Sequence, residues 1–423
     1  MAASAAPARP DARSRPAGTY FPLGYKDAVY EWWSSVTPQL AERNVLSHIP
    51  YLKDTLDSNK HDPFGKRVWS SQMVELSGKN RALNEYSVER VGEKVDNTLV
   101  IVHGYGAGLG FFYKNFEPLS RAKGWKLYAL DMLGMGNSTR PPFKVHAKDQ
   151  AAKTAEAEAW FIDALEEWRK KRDIDKMTLI GHSLGGYLSV AYALKYPGHI
   201  KKLILASPVG IPADPYAVNE SMPEPEESTL QNEFTLDQNA VTTDDHNSST
   251  AAASRSKTST NSTNAPKRPL PGWLVWLWDA NVSPFSIVRF TGPLGPRFVS
   301  GWTSRRFNHL PAADGEYALP YILAPGAYAR SPIINRIDGV GRQVIEKNGE
   351  KIRETGIPVV FMYGENDWMD ALLTATDEEK ARENGSAKVK VISKAGHHLY
   401  LDNADEFNDF IRKEMEDVEK SKL

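Results

Sequence analysis

Hydrophobic and polar positions along the chain change period several times, and each change predicts a different kind of element. Residues 19–60 space their apolar side chains at helical intervals. There Tyr30, Trp32, Trp33, Val36, Leu40 and Val45 would face one side of one or two amphipathic helices. From Arg67 to Val91 apolar and polar residues alternate weakly, as in an antiparallel hairpin. Beyond it come short β-branched or apolar runs at Thr98–Val102, Lys126–Leu130, Met177–Ile180, Lys202–Ala206, Pro358–Met362 and Val389–Ile392. Helical stretches separate them. In one, Ala155–Arg172, the residues Trp160, Phe161, Leu165 and Trp168 share a face. Buried-type strands alternating with helices predict an α/β fold, a mostly parallel eight-stranded sheet covered on both faces.

The alternation breaks between Ile211 and about Gly341. Residues 218–267 are built from Ser, Thr, Asn, Pro, Asp and Glu with almost no large apolar side chain, so they cannot offset their ordering entropy and are expected to be disordered. A tryptophan-rich stretch follows, with Trp273, Trp276 and Trp278 close together. It reads as a buried cap helix or as an amphipathic lip at a membrane surface. The expected organisation is therefore a tail and helical extension over 1–60, a first core segment over 61–210, a cap insertion over 211–340, a second core segment over 341–416 and a tail over 417–423.

Composition removes several function classes. The chain has 423 residues, a net charge of −1 and no cysteine. Near-neutral charge offers no field for nucleic acid. Without cysteine there is no disulfide framework, thiolate metal site or cysteine nucleophile, which fits a reducing compartment. No apolar run reaches the roughly 18–20 residues of a membrane span, so a soluble or peripheral protein is expected. Residues 1–18 are rich in Ala, Pro and Arg without an apolar core, so no secretory signal is expected there and a weak mitochondrial address is the alternative. The chain ends in Ser421-Lys422-Leu423, the tripeptide read by the peroxisomal import receptor, so the peroxisome is the expected compartment.

Chemistry concentrates in Met177-Thr-Leu-Ile-Gly181-His182-Ser183-Leu184-Gly185-Gly186. A strand running through Gly-x-Ser-x-Gly into a helix lifts the serine hydroxyl above the sheet, and the small neighbours leave room for the strained turn. Ser183 is the expected nucleophile. It requires a base, an acid that orients the base, and donors for an oxyanion. Two later strands end in loops bearing those residue types. Gly364-Glu365-Asn366-Asp367 offers Asp367 as the acid, with Asp370 as the alternative and Glu365 and Asp402 behind. Gly396-His397-His398 offers His397 as the base. The oxyanion donors are expected to be the backbone N–H groups of Leu184 and of Tyr105, in the loop His103-Gly104-Tyr105-Gly106-Ala107-Gly108. No Gly-Lys-Ser/Thr follows that loop, so a phosphate cradle is disfavoured. The turn from Asp131 to Ser138 reads as a tight glycine loop bordering the site.

Taken together, these motifs resemble the α/β-hydrolase superfamily. Residues 281–296 and 299–307 are similar to the fungal branch of cardiolipin deacylases and lysophosphatidic acid acyltransferase-like proteins, whose animal relatives include a lysophospholipase and a lipase coactivator. The resemblance covers roughly residues 65–415. It implies a Ser-His-Asp serine hydrolase acting on a phospholipid or other acyl-lipid, with no metal or organic cofactor. The coactivator relatives lack the nucleophile, whereas this chain keeps Ser183. Trp273 and Trp276 in the cap, and Arg305 and Arg306 facing a lipid phosphate, are the expected substrate contacts, and a peripheral membrane surface is an expected partner. The alternatives are acyl transfer to a lysolipid, suggested by the family's His-x4-Asp signature (His397 to Asp402), an esterase or thioesterase on a smaller acyl substrate, and a non-catalytic lipid-binding adaptor.

Overall fold

A computed structural model describes residues 24–33, 38–47, 49–50, 62–211, 292, 318–324, 328–347, 349–354, 356–367 and 387–420. The expectations placed on residues 218–267, Trp273, Trp276, Arg305, Arg306, Asp370 and Ser421–Leu423 lie outside the described residues. The chain divides into two compact units, one of Met1–Ser35 with Val288–Asn308 and one of Val36–Ile287 with His309–Leu423.

In the first unit the described residues are Gly292 and those around helix α1 (Tyr25–Trp33). Of the apolar face expected there, Trp32 and Val36 carry no described side chain, and Tyr30 is 69% and Trp33 78% exposed, while the small Ala28 is buried. In the second unit, helix α2 (Pro38–Leu46) likewise leaves Leu40 exposed and buries Leu46. Spacing alone marked which residues share a helix side, but not whether that side meets the core.

The second unit is built on one eight-stranded sheet. Its strands are β1 (Arg67–Glu75), β2 (Ala82–Arg90), β3 (Asn97–Val102), β4 (Trp125–Leu130), β5 (Met177–His182), β6 (Ile200–Ala206), β11 (Val359–Gly364) and β12 (Ala387–Ile392), in the order β1-β2-β4-β3-β5-β6-β11-β12. The strands β7 to β10 are two short hairpins outside it: β7 (Leu323–Ala324) with β8 (Tyr328–Ala329), and β9 (Val344–Lys347) with β10 (Glu350–Arg353). β1 pairs antiparallel with β2 and β2 antiparallel with β4, whereas β3, β4, β5, β6, β11 and β12 run parallel. The central strands are buried along almost their whole length, which is why they read as continuous apolar runs rather than alternations.

Helix α4 (Gln150–Lys171) starts five residues before the expected position, because the Asp149 carboxylate accepts the Ala152 N–H and caps the first turn. Its buried face, including Phe161, Leu165 and Trp168, packs in one core cluster with the apolar residues of helix α5 (Leu184–Lys195). Near the C-terminus, helix α8 (Ala404–Lys420) is tied to the sheet by Lys202, whose Nζ lies 2.6 Å from Glu414 Oε2 and donates to the Glu414 carbonyl. The remaining α-helices among the described residues, α3 (Tyr113–Leu119), α6 (Leu319–Ile322) and α7 (Leu399–Asp402), are short.

Candidate active site

Because β5, β11 and β12 run parallel, their C-terminal ends lie at one edge of the sheet, where open α/β sheets carry their sites. β5 runs two residues further than expected, with Gly181 opposite Leu205 and His182 opposite Ala206. Ser183 follows at once as the N-cap of α5, with φ 51° and ψ −117°. A non-glycine residue held there is strained by about 1–3 kcal/mol and persists only because its surroundings overdetermine it. The Ser183 N–H donates to Ala206 O at 2.9 Å, and its carbonyl accepts the N–H groups of Tyr187 and Val209. A Cβ at Gly185 would stand 2.5 Å from His103 O and 2.7 Å from Val102 O, both backbone atoms. A side chain at that position would push helix and strand apart.

The loops after β11 and β12 bring the expected acid and base together. His397 Nδ1 lies 3.4 Å from Asp367 Oδ1, and both side chains are almost fully buried. The other Asp367 oxygen, Oδ2, accepts a hydrogen bond from the Ser207 hydroxyl. His182, the residue before the serine, donates from Nε2 to the His397 carbonyl at 3.0 Å, joining the β5 turn to the β12 loop. Neither Ser207 nor His182 was singled out in the sequence. Ser207 had a signal: it directly follows β6, the strand between β5 and β11. The structure buries His398 against Phe111 with ring centroids 6.0 Å apart. Asp402 accepts the Gly396 N–H at 3.0 Å, as a loop-bracing carboxylate. Glu365 turns the same way, accepting the Lys394 N–H.

The loop from His103 to Gly108, where one oxyanion donor is expected, passes directly over the β5–α5 turn. A Cβ at Gly104 would stand 2.9 Å from both the Ser183 Cβ and His182 Nδ1, so only glycine leaves space there. Two successive residues hold that loop. The Met132 N–H donates to His103 Nε2 at 3.0 Å, and Asp131 Oδ1 accepts the Leu109 N–H at 2.7 Å. His103 Nδ1 lies 2.7 Å from the Gly104 carbonyl, so a neutral ring uses one nitrogen as donor and the other as acceptor. Full burial lowers its pKa from 6.5 to about 4. The glycine turn after Asp131 is thus a structural loop bordering the site, as expected. Among the described residues, no group of three or more His, Asp or Glu side chains is placed to hold a metal ion.

A sheet of this order with a serine strained at the β5–α5 turn defines a class. The chain belongs to the alpha/beta hydrolase fold family, which it matches over residues 97–404. Among its relatives is a 1-acylglycerol-3-phosphate O-acyltransferase of Arabidopsis thaliana, 30% identical over 388 residues that cover 86% of this chain and 76% of the relative. The 1-acylglycerol-3-phosphate O-acyltransferase ABHD5 of Mus musculus is 27% identical, covering 82% of this chain and 84% of that protein. Among solved structures, carboxylesterase CesB of Bacillus subtilis aligns with a TM-score of 0.48 and 13% identity, covering 91% of this chain and 96% of that one.

Proposed function

We propose that the protein is a serine-dependent acyl-lipid hydrolase that cleaves an acyl ester of a phospholipid or lysophospholipid. The observation that carries this reading is the convergence of three strand-end loops: strained Ser183 after β5, Asp367 after β11 and His397 after β12. In this reading Ser183 attacks the acyl carbonyl, and His397, oriented by Asp367, takes the serine proton and returns it to the leaving alcohol. The amides of Leu184 and Tyr105 hold the oxyanion of the tetrahedral intermediate. Water activated by His397 then releases the fatty acid. The lipid class of the substrate rests on the relatives, several of which bear the name of a 1-acylglycerol-3-phosphate O-acyltransferase.

Those names favour a second reading, in which a lysolipid hydroxyl replaces water in the last step. His-x4-Asp does not by itself distinguish the two, because Asp402 braces the Gly396 amide. Both readings share the acyl-enzyme and part only at the acceptor. The test is lipid mass spectrometry on purified protein with mixed phospholipid vesicles, with and without added lysophosphatidic acid, wild type beside Ser183→Ala. Free fatty acid with matching lysolipid, made only by the wild type, supports hydrolysis. Phosphatidic acid formed at the expense of free fatty acid supports transfer. Vesicle binding without turnover by either protein would leave a lipid-binding adaptor and remove the enzyme reading.

A further inference from the structure

Helix α2 precedes the sheet and lies outside the segment that matches the family, yet it sends one carboxylate into the network behind the oxyanion loop. Glu42 Oε1 accepts the Ser71 hydroxyl of β1 at 2.6 Å. Its Oε2 accepts from the side-chain amides of both Asn84 and Asn137. The same two asparagines also donate to Asp131 Oδ2: Asn84 through Nδ2 at 2.9 Å and Asn137 through its backbone N–H at 2.8 Å. Glu42 and Asp131 are therefore cross-bridged by two donors each, and neither asparagine can reorient without releasing a carboxylate.

Asp131 has little room to move. A Cβ at Gly136 would stand 2.2 Å from its Cγ, and one at Gly108 would stand 3.1 Å from Oδ1. Through that oxygen it holds the Leu109 N–H, the far end of the loop that carries Tyr105. Burial, followed by the nearby Asp131 charge, raises the Glu42 pKa above the usual carboxylate range. An isolated carboxylate placed so would be costly, which makes a donor-saturated position a committed arrangement rather than a surface accident.

We infer that Glu42 is a positioning residue for the oxyanion side of the site, acting through Asn84, Asn137 and Asp131 on the His103–Leu109 loop. This rests on the proposed hydrolase reading. It gives the N-terminal helix a part in the chemistry: α2 sets how firmly the Tyr105 amide is aimed. The acceptor oxygens are what matter. In Glu42→Gln the carboxylate charge is lost and one oxygen becomes an NH2, which must face either the Ser71 hydroxyl or the two asparagine donors, while volume is kept.

The test uses the full-length protein, Glu42→Gln and Asn137→Ala, the second of which removes one bridging amide but leaves the backbone N–H on Asp131. Three readouts are taken: hydrolysis of p-nitrophenyl butyrate, titration of reactive serine with a fluorophosphonate, and amide hydrogen exchange of peptides spanning 103–110. Loss of a whole oxyanion donor costs roughly 10²–10³ in rate, so a loosened one should cost about 10-fold in kcat with KM within about twofold. Titratable serine should stay at the wild-type level, and exchange should speed up in 103–110 more than in the sheet. Wild-type kcat in both folded variants, or unchanged exchange in 103–110, overturns the inference. If the wild type itself shows no Ser183-dependent turnover, the hydrolase reading falls instead, and the exchange data decide the positioning claim alone.

Discussion

Ser207→Ala is the most informative perturbation of the proposed acid–base pair, Asp367 and His397. Ser207 is fully buried, and its hydroxyl donates to the oxygen of Asp367 that faces away from His397. A hydrogen bond to a charged group contributes about 1.5–3 kcal/mol, and each 1.36 kcal/mol of barrier is tenfold in rate. If that contribution serves to aim the carboxylate at the imidazolium formed in the transition state, kcat/KM should fall about 10- to 150-fold. The assay is steady-state ester hydrolysis at fixed titrated serine, arranged as a double-mutant cycle with Asp367→Asn. The asparagine variant should itself lose on the order of 10⁴, as expected for a triad acid whose charge and tautomer control are removed. In that background Ser207→Ala should add less than about threefold, because the charge it served is gone. A Ser207→Ala protein within twofold of wild type, or one that loses the same factor in both backgrounds, would refute the assignment of Ser207 as the residue that positions Asp367.

Other consequences are equally direct. Gly104→Ala places a methyl 2.9 Å from the Ser183 Cβ and from His182 Nδ1, so turnover should fall by up to about 10²-fold, the cost of misplacing the proposed nucleophile by about 1 Å, while urea denaturation moves much less. His103 binds its proton more weakly when folded, near 4 against 6.5 unfolded. Its stabilising contribution is therefore complete above pH 6.5 and lost as pH falls toward 4, on the order of 3 kcal/mol in all. Urea midpoints measured across that window should fall with acid, and His103→Gln should flatten this part of the curve. Lys202→Met leaves the buried Glu414, among the described residues, with just the half-exposed Lys388 as its ion-pair partner, which should destabilise the chain by about 3 kcal/mol in equilibrium unfolding. Asp402→Asn should retain activity within a few-fold, because an amide oxygen still accepts the Gly396 N–H; a loss of 10³ would instead give Asp402 a direct part in the chemistry.

The local signals were sufficient for the fold class. Weak alternation marked the β1–β2 hairpin although burial there does not alternate, β2 being buried at nearly every position and β1 mostly not, and unbroken apolar runs marked the central strands, which are covered on both faces. The Gly-x-Ser-x-Gly turn was legible for a steric reason. Only glycine tolerates the backbone atoms that crowd positions 181 and 185, so the constraint is written in residue type. The α1 surface was legible only in part. Periodicity gave the sidedness of Tyr30 and Trp33, but their exposure depends on what packs beside the helix.

What the chain by itself marked is the eight strands of the main sheet, the buried face of α4 and the residue types at three strand ends: a serine after β5, an aspartate after β11 and a histidine after β12. What only the tertiary structure decided is which distant groups support them. Ser207 reaches Asp367 across 160 positions and His182 reaches His397 across 215, while Glu42 reaches Asn84 across 42. No spacing rule links such residues. Their proximity is set by strand order, β6 beside both β5 and β11, and that order depends on non-local pairing and the shared burial of whole strands. Residues bound by local sterics announce themselves in sequence, and residues bound by a long-range hydrogen bond do not.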